Sequence, residues 1–461
     1  MATEHARGDA VDPSAAAVDA PLGPSATLEI GSAQIHGATQ VSAPVTKMKK
    51  RQLIPMFVAY FTLYLAWIAP VGFSLAVRMG QLDEASKNTT LALALSVPGI
   101  IVLFIAPLIG VLSDRTRSRF GRRRPWMVAG TLIGAVGALI IGLTATIPLV
   151  ILGWTISFIG YTIVGSMIVT YLGDKLPEEQ RGKVMGINGS LSQVAPVVGT
   201  AVAGAASASA AAMFLIPGAL ALVGGLVFIA VMKDEQLTTK PPALNVGGLL
   251  RGYWFNPRRH PNLGWVVLSR AMVFLALSFL SLYTVYLLIE RLGYTAAQVA
   301  GLTASLGLGG VVMAIIGAIG SGWLSDKLGS RKPFLFVSAL LLAVSLVLIA
   351  TMNSVPQYAI ATLLSSFAIG VYGAVDQATG LDVMPQEGEN GRYLAIFSLG
   401  NQVPQSFGPL LAALILSVVG GNYAWVYVAA GVFAVLGALA ILPLRIPRRS
   451  RAAAPAPATA V

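Results

Sequence analysis

Long apolar runs recur along most of this chain, and they constrain its fold more than any other feature of the sequence. Each run is about 18 to 25 residues long, which is enough for a helix to cross the hydrocarbon core of a bilayer. Only 11 % of the 461 residues are charged, whereas soluble domains carry about 25 %. Backbone polar groups inside a bilayer must pair within their own segment, so runs of this length favour helices over the short strands of a membrane barrel. The sequence therefore predicts an all-α membrane protein.

Twelve transmembrane helices are predicted between charged residues and clusters of proline or glycine. The predicted spans begin near Leu53, Leu91, Pro125, Leu149, Val184 and Ala210 and, after a loop, near Gly264, Gln298, Pro333, Val355, Tyr393 and Asn422. This order places one six-helix bundle in residues 47–232, a central cytoplasmic loop in 233–263 and a second six-helix bundle in 264–446. Residues 1–46 contain no apolar core segment, and residues 447–461 belong to a basic, low-complexity stretch, so both are predicted to be disordered cytoplasmic tails.

The positive charge lies almost entirely on one side of the predicted membrane. When the ends of the spans are assigned alternately to the two sides, only Arg78, Lys87 and Arg291 fall on the side opposite to the N-terminus. The positive-inside rule makes the basic side cytoplasmic, so we expect a multi-pass plasma-membrane protein with both termini inside. The net charge of +12 therefore reflects topology and does not favour nucleic acid as a partner. The expected partners are the lipid bilayer and a small-molecule substrate, and we expect a monomer.

The composition also disfavours several kinds of chemistry. The chain has no cysteine and three histidines, of which His5 and His36 lie in the N-terminal tail, so no metal site and no cofactor are expected. The phosphate-binding pattern G-x-x-x-x-G-K-[ST] is absent from the sequence, which disfavours an ATP-driven pump. We therefore do not expect an enzyme.

The chain contains an internal repeat. Gly110-Val-Leu-Ser-Asp114, after the second span, is repeated as Gly322-Trp-Leu-Ser-Asp326 after the eighth. Gln193 in the fifth span matches Gln402 in the eleventh at a spacing of 209 residues, together with several of their neighbours. Such duplication predicts two related halves with a substrate cavity at their interface, near the bilayer midplane.

The repeated motif carries a family resemblance. The pattern G-x-x-x-D-R/K, followed by G-R/K-R/K, resembles the loop signature of the major facilitator superfamily. The first copy reads D-R-T-R-S-R-x-G-R-R-R-P, and this form resembles the glycoside–pentoside–hexuronide:cation symporters and the proton-coupled sucrose transporters. The resemblance covers about residues 50–445. It implies the major facilitator fold and secondary active transport of a sugar or glycoside by alternating access.

The two aspartates of the repeated motif are candidate gate residues. An acid at the C-terminal end of a helix opposes the helix dipole, so each aspartate must serve another partner. The resemblance implies that each one faces the start of a neighbouring helix and nearby basic side chains, and latches the halves together when the cavity faces outward. The residues assigned to this cytoplasmic gate are Asp114, Arg115, Gly121, Arg122, Arg123, Asp326, Lys327 and Arg331. As an alternative, the arginines only fix topology and contact lipid phosphates.

Two charged residues lie well inside the predicted spans. Arg270 is in the seventh span and Asp376 is in the tenth, and a charge at the centre of a helix costs about 2.5 to 3.5 kcal/mol. Both lie in the cytoplasmic half, so we predict an interhelical ion pair or a shared hydrogen-bond network. The pair can either orient two helices or couple transport to protonation of Asp376.

The first two spans bear on the identity of the coupling ion. Sodium-coupled members of the similar branch carry acidic residues there, but Leu53–Val77 contains none and the second span has none before Asp114. This departure favours protons over sodium.

Aromatic and amide side chains are candidates for the wall of the cavity. The resemblance assigns this wall to the first, fourth, seventh and tenth helices, and rings and amides suit a neutral polyhydroxyl ligand. With two amides each from the fifth and eleventh helices, the candidates are Tyr60, Tyr64, Trp67, Trp154, Tyr161, Tyr283, Tyr286, Tyr372, Gln377, Asn188, Gln193, Asn401 and Gln402. Interfacial aromatic belts and polar contacts between helices are the alternative. We expect a proton-coupled symporter of a sugar or glycoside, with a proton-coupled exporter of a drug-like metabolite as the alternative.

Overall fold

The computed structural model describes residues 47–237, 256–384 and 390–444, and within these ranges the regular secondary structure is helical. The long helices are α1 (Lys50–Leu82), α2 (Lys87–Arg115), α3 (Arg124–Leu143), α4 (Ile147–Lys175), α5 (Glu178–Ala205), α6 (Ala210–Val231), α7 (Pro261–Leu282), α8 (Ala296–Leu328), α9 (Lys332–Ala350), α10 (Val355–Asp382), α11 (Asn390–Val418) and α12 (Tyr423–Ala440). The predicted all-α membrane fold is confirmed. The tails predicted at 1–46 and 447–461 lie outside the described residues, as does most of the predicted central loop.

Within the described ranges, ten of these helices are long and apolar enough to cross a membrane. The other two, α5 and α11, have 28 and 29 residues and carry more polar side chains. Polarity also explains the largest error in the predicted helix starts. The fifth span was expected to begin near Val184, whereas α5 begins at Glu178 because its first two turns are charged and extend the helix beyond its apolar part.

The packing of the helices repeats the duplication seen in the sequence. In the first half, α1 packs on α5 and α6, α3 packs on α4 and α6, and α2 packs on α4. The same pairs recur six helices later: α7 packs on α11 and α12, α9 packs on α10 and α12, and α8 packs on α10. The main contacts between the halves join α2 to α11 and α5 to α8. These two contacts are equivalent, because α8 is the counterpart of α2 and α11 is the counterpart of α5. The fold therefore consists of two similar six-helix units.

Two helices depart from regular α geometry near the interface of the halves. In α1, Pro70–Ser74 forms a π-helical turn, and the backbone N–H of Leu75 donates to the carbonyl of Pro70. In the second half, α7 is interrupted at Tyr283 and continues as Thr284–Leu292. Single π-helical turns are common at functional sites, and both irregular segments carry side chains that belong to the site described below.

Candidate functional site

A cavity of about 470 Å³ lies between the two halves. Four helices of the first half line it (α1, α2, α4 and α5), and so do their four equivalents in the second half (α7, α8, α10 and α11). The volume falls within the range of about 300 to 1,000 Å³ that small-molecule sites occupy. No charged side chain lines the cavity in the part of the chain that the structure describes. A wall of this kind suits an uncharged solute.

Amides and hydroxyls form the polar part of the wall. The polar side chains, apart from an indole described next, are Gln193, Ser278, Ser281, Ser366, Gln402, Gln405 and Ser406. Gln405 Nε2 donates to Asn401 Oδ1 at 2.6 Å, which fixes the orientation of its amide. Gln193 and Gln402 occupy equivalent positions of the repeat, and each presents an amide to the cavity. An amide both donates and accepts, so these groups can bind hydroxyls of a ligand.

An aromatic pair forms the first-half side of the wall. Trp67 and Phe158 line the cavity with their rings edge to face at a centroid distance of 5.6 Å, and Trp154 packs behind Phe158 at 5.8 Å. Trp67 is 1 % exposed, and its indole Nε1 has no hydrogen-bond partner within the described residues. This nitrogen is itself buried, so Trp67 contributes ring surface to the wall rather than a hydrogen-bond donor.

Only some of the predicted cavity residues line this wall. Trp67, Gln193 and Gln402 line the cavity. The others lie outside its lining in this conformation: Tyr60, Tyr64, Trp154, Tyr161, Tyr283, Tyr286, Tyr372, Gln377, Asn188 and Asn401. The sequence indicated helices that do line the cavity, but only one face of each helix reaches it. Tyr161, for example, faces Gly134 and Gly218 in the packing of α4 against α3 and α6.

Several lining residues were not predicted. Phe158 and Phe274 were overlooked because apolar rings on a membrane helix resemble lipid-facing ones. Ser281 and Ser406 were overlooked because small hydroxyls often bond to carbonyls of their own helix. One signal was available in the sequence. Ser406 lies one turn after Gln402, so both side chains share a face of α11.

Tyrosines close one end of the cavity, here called the tyrosine side (Tyr283, Tyr286 and Tyr423). The hydroxyls of Tyr283 and Tyr423 donate to the backbone carbonyl and the side-chain oxygen of Asn88, at 3.2 and 2.7 Å. Tyr286 donates to the carbonyl of Ala76 at 2.7 Å. All three bonds run from the second half to the first. Tyr283 and Tyr286, predicted to contact substrate, therefore form a closure, because the interruption of α7 turns them toward α1 and α2.

The opposite end carries the arginine-rich turn and is here called the arginine side (Arg122, Arg123 and Arg331). Arg123 is 2 % exposed, and its guanidinium contacts Asp114 at 2.5 Å, Asp174 at 3.2 Å and Ser113 Oγ at 2.6 Å. Arg122 also pairs with Asp174, at 2.8 Å. This cluster connects the ends of α2 and α4 with the start of α3.

An acidic residue that no sequence motif indicated, Asp234, completes this cluster. Asp234 accepts hydrogen bonds from the backbone N–H groups of Arg123 and Arg124 at 2.6 and 2.8 Å, where a negative charge favours the start of α3. Gly121 has φ 102°, and an added Cβ there would lie closer than 3.0 Å to the Asp234 carboxylate. Gly121 is thus required by both backbone conformation and space. Beside it, the Lys175 ammonium holds the pKa of the Glu235 carboxyl below its ordinary value.

The second half has an equivalent but weaker cluster. Arg331 pairs with Asp382 at 3.0 Å and approaches Asp326 at 3.8 Å, and Lys327 lies over the Trp323 ring. The ion pairs of Asp114 and Asp326 described here all join residues of the same half. In this conformation these pairs hold each half together and do not latch the halves to each other, because the halves are joined by hydrogen bonds at the tyrosine side.

The two intramembrane charges meet in the structure. Arg270 and Asp376 form an ion pair between α7 and α10, with the two residues 4 % and 2 % exposed. The guanidinium also lies over the rings of Phe397 and Phe274, at 4.0 and 5.0 Å from their centroids. Because Phe274 lines the cavity, its ring connects the pair to the cavity wall. In addition, the Tyr372 hydroxyl interacts with Asp376.

Replacing Arg123 with glutamine is expected to lower the free energy of unfolding by about 2 to 3 kcal/mol, because buried hydrogen bonds to two carboxylates are lost. The measurement is thermal unfolding of the purified protein in detergent. Arg117→Gln removes an exposed arginine of the same turn and should change stability by less than about 0.5 kcal/mol. Equal losses in the two variants would contradict the role of Arg123 as the centre of the cluster.

Removing a hydroxyl from the tyrosine side is expected to make this end of the cavity open more often. The chain has no cysteine, so Val71→Cys places a single thiol on the cavity wall. Adding Tyr286→Phe to this background removes one hydrogen bond worth about 0.5 to 1.5 kcal/mol. Labelling of the thiol by an impermeant maleimide, added from the tyrosine side, should then rise about 2- to 10-fold. Tyr358→Phe is the matched control, because its hydroxyl interacts with Thr362 of its own helix. Unchanged labelling with Tyr286→Phe would contradict the closure.

Two equivalent six-helix halves around a central cavity define the class of this protein as a membrane transporter fold built by duplication. A family model described as Major Facilitator Superfamily matches residues 56–321 and 311–460. The chain belongs to this family, as the repeated loop motif predicted.

Curated relatives match over short segments. The chain is 32 % identical to the general alpha-glucoside permease of Schizosaccharomyces pombe over 122 residues, which is 26 % of this chain and 22 % of the permease. It is 30 % identical to the sucrose transport protein SUC4 of Arabidopsis thaliana over 115 residues, which is 25 % of this chain and 21 % of that protein. The matches thus span about a fifth of each relative.

Solved structures match along most of the chain. The nucleoside transporter NupG superimposes with a TM-score of 0.67 at 13 % identity, covering 86 % of this chain and 98 % of NupG. A bacterial homologue of the human lysosomal transporter Spinster, in an inward-facing and unoccupied conformation, gives a TM-score of 0.63 at 14 % identity, covering 86 % and 96 %. At these identities the likeness concerns the fold.

Proposed function

We propose that this protein is a secondary active transporter that takes up a sugar or glycoside together with protons by alternating access. The observation that carries the proposal is the uncharged, amide-bearing cavity between the two halves. Amides pair with sugar hydroxyls, and the rings of Trp67 and Phe158 offer faces for the C–H groups of a sugar ring. The matched segments of an alpha-glucoside permease and a sucrose transport protein support the same class of substrate.

The arginine side is the cytoplasmic side in this proposal. The excess of arginine and lysine there follows the positive-inside rule, which places both termini in the cytoplasm and the protein in the plasma membrane. Closure at the tyrosine side then corresponds to an inward-facing state. Uptake requires a second state, in which the hydrogen bonds to Asn88 and Ala76 break and the arginine side closes.

The charge clusters of the two halves are the proposed parts of the inner closure. Arg123 and Arg331 hold the ends of the helices within each half, so each half can move as a rigid unit. Asp114 and Asp326 retain exposed carboxylates, with side-chain exposures of 55 % and 70 %. We infer that these carboxylates meet basic side chains of the opposite half when the cavity faces outward.

Asp376 is the proposed proton carrier. It is the one carboxylate buried within the described residues, and it lies one aromatic ring away from the cavity. In the inward-facing state it is ionised and paired with Arg270. In the outward-facing state it takes up a proton from outside and separates from Arg270, and the return to the pair releases the proton inside. Protons are favoured over sodium because Leu53–Val77 contains no acidic residue and the second helix has none before Asp114, where sodium-coupled members of the similar branch carry them.

A proton-coupled exporter of a drug-like metabolite is the second candidate. The specific observation in its favour is that most of the cavity wall is aliphatic or aromatic. Such a wall binds apolar groups well and leaves many hydroxyls of a free sugar without a partner.

The experiment is uptake into proteoliposomes that contain the purified protein. Radiolabelled sucrose and an aryl glucoside are added outside, with an imposed pH gradient, an imposed sodium gradient or neither. The proposal predicts accumulation above the external concentration when the outside is acidic, and no such effect of sodium. Accumulation driven by sodium would overturn the proton assignment. No uptake of any sugar, together with pH-driven transport of an apolar amine or phenol, would favour the exporter.

A further inference from the structure

The duplication allows the two sides of the cavity wall to be compared position by position. At the constant spacing of 209 residues, Gln193 corresponds to Gln402 and Val197 corresponds to Ser406. All four side chains line the cavity. The halves therefore share one amide, while one turn further along the helix the first half has an isopropyl group and the second half has a hydroxyl.

The same asymmetry extends over the whole cavity. In the second half, α11 presents Gln402, Gln405 and Ser406, and serines of α7 and α10 add hydroxyls. In the first half, Gln193 is the one lining side chain with an amide, hydroxyl or charge among the described residues. The remaining first-half wall is apolar, including Ile68, Val71, Leu103, Phe158 and Val197.

Several hydroxyls on the second-half wall already donate hydrogen bonds within the protein. Ser281, Ser366 and Ser406 each donate to a backbone carbonyl of their own helix, so toward the cavity they mainly accept. The Gln405 amide is held by Asn401. Donors for a ligand therefore come mostly from Gln193 and Gln402, the two equivalent amides, and from the Ser278 hydroxyl.

The apolar wall of the first half favours one class of sugar substrate over another. A free disaccharide carries hydroxyls on both rings, so one ring would face the apolar wall. Each buried hydroxyl without a partner costs about 1 to 3 kcal/mol in proteins. A glycoside with an aryl or alkyl aglycone places its hydroxyls on one end and apolar surface on the other, which matches the distribution of the wall.

We propose that the substrate is an amphiphilic glycoside, whose sugar ring is held by Gln193, Gln402 and Gln405 and whose apolar aglycone packs against Trp67, Phe158 and Val197. This inference rests on the proposed transport of a sugar or glycoside and specifies its chemical class. It makes Val197 and Ser406, at equivalent positions of the repeat, determinants of specificity.

The test compares ligands on the purified full-length protein. Binding of phenyl β-D-glucoside, phenyl α-D-glucoside, D-glucose and sucrose is measured by calorimetry, and competition is measured in proteoliposome uptake. At least one phenyl glucoside is expected to bind more than 10-fold tighter than both sucrose and glucose. Sucrose binding as tightly as both phenyl glucosides would overturn the inference while leaving sugar transport intact. If none of the four sugars binds, the proposed function fails as well.

A reciprocal pair of variants tests the asymmetry itself. Val197→Ser gives the first half the hydroxyl of the second half and should reduce the preference for the phenyl glucoside over sucrose at least 3-fold. Ser406→Val should weaken the binding of both ligands. Val403→Ser is the matched control, because Val403 is on α11 but outside the cavity lining and 39 % exposed. If Val197→Ser and Val403→Ser give the same ligand preference while unfolding at the wild-type temperature, the assignment of Val197 is overturned.

Discussion

Asp376→Asn is expected to abolish accumulation of substrate against its gradient and to lower the free energy of unfolding by about 3 to 5 kcal/mol. The loss of stability follows because Arg270, 4 % exposed, is left without its buried counter-ion. The loss of accumulation follows because asparagine cannot take up or release a proton. Thermal unfolding in detergent measures the first effect, and uptake with an imposed pH gradient measures the second.

The double variant Arg270→Gln, Asp376→Asn separates the structural role from the coupling role. It removes both charges, so most of the lost stability should return. The double variant should exchange labelled for unlabelled substrate, but it should not recover pH-driven accumulation. Full pH-driven accumulation by the double variant would show that the pair only orients α7 and α10. Asp326→Asn, which changes a carboxylate that is 70 % exposed, is the control and should leave stability nearly unchanged.

Gly370→Ala is expected to destabilise the fold by about 3 kcal/mol, at the upper end of the usual cost of overpacking. Gly370 lies where α10 crosses α8, and an added Cβ would overlap the backbone carbonyl of Ala314. A flexible side chain could move aside, but a helix backbone can yield only by separating the two helices. The change is measured as the shift in unfolding temperature and as the yield of monodisperse protein after size-exclusion chromatography.

Gly320→Ala is the matched control for this prediction. Gly320 also lies within a helix, and an added Cβ there would meet nothing within 4 Å. Alanine is favoured over glycine in a helix by about 1 kcal/mol, so this variant should be neutral or more stable. If Gly370→Ala were as stable as Gly320→Ala, the close approach of α8 and α10 would be contradicted.

Much of this architecture could be predicted because the bilayer imposes simple rules on sequence. The length of the apolar runs indicated the helices and their order, and the repeated motif indicated the family that the family model confirms. Charges were informative because they are costly in lipid. Arg270 and Asp376 could be matched from their depth alone, and the structure brings them into contact.

The orientation of each helix about its own axis could not be predicted. Lipid and protein interior are both apolar, so the sequence of a membrane helix does not show which face meets which surroundings. Tyr161 and Phe158 lie on the same helix, yet Phe158 lines the cavity and Tyr161 packs against glycines. Asp234 was missed for a related reason, because its role depends on the loop after α6 returning to the start of α3.

Hydropathy, charge and the internal repeat were enough to establish a membrane protein with two similar halves and an excess of positive charge on one side. Hydropathy and charge act through the transfer free energy of residues between water and lipid, which depends on composition and length. Three properties became apparent only from the folded chain: which side chains face the cavity, the closure of one end by tyrosines, and the pairing of the motif aspartates within their own halves. These properties depend on helix rotation and on contacts between distant segments, which are set by close packing rather than by hydropathy.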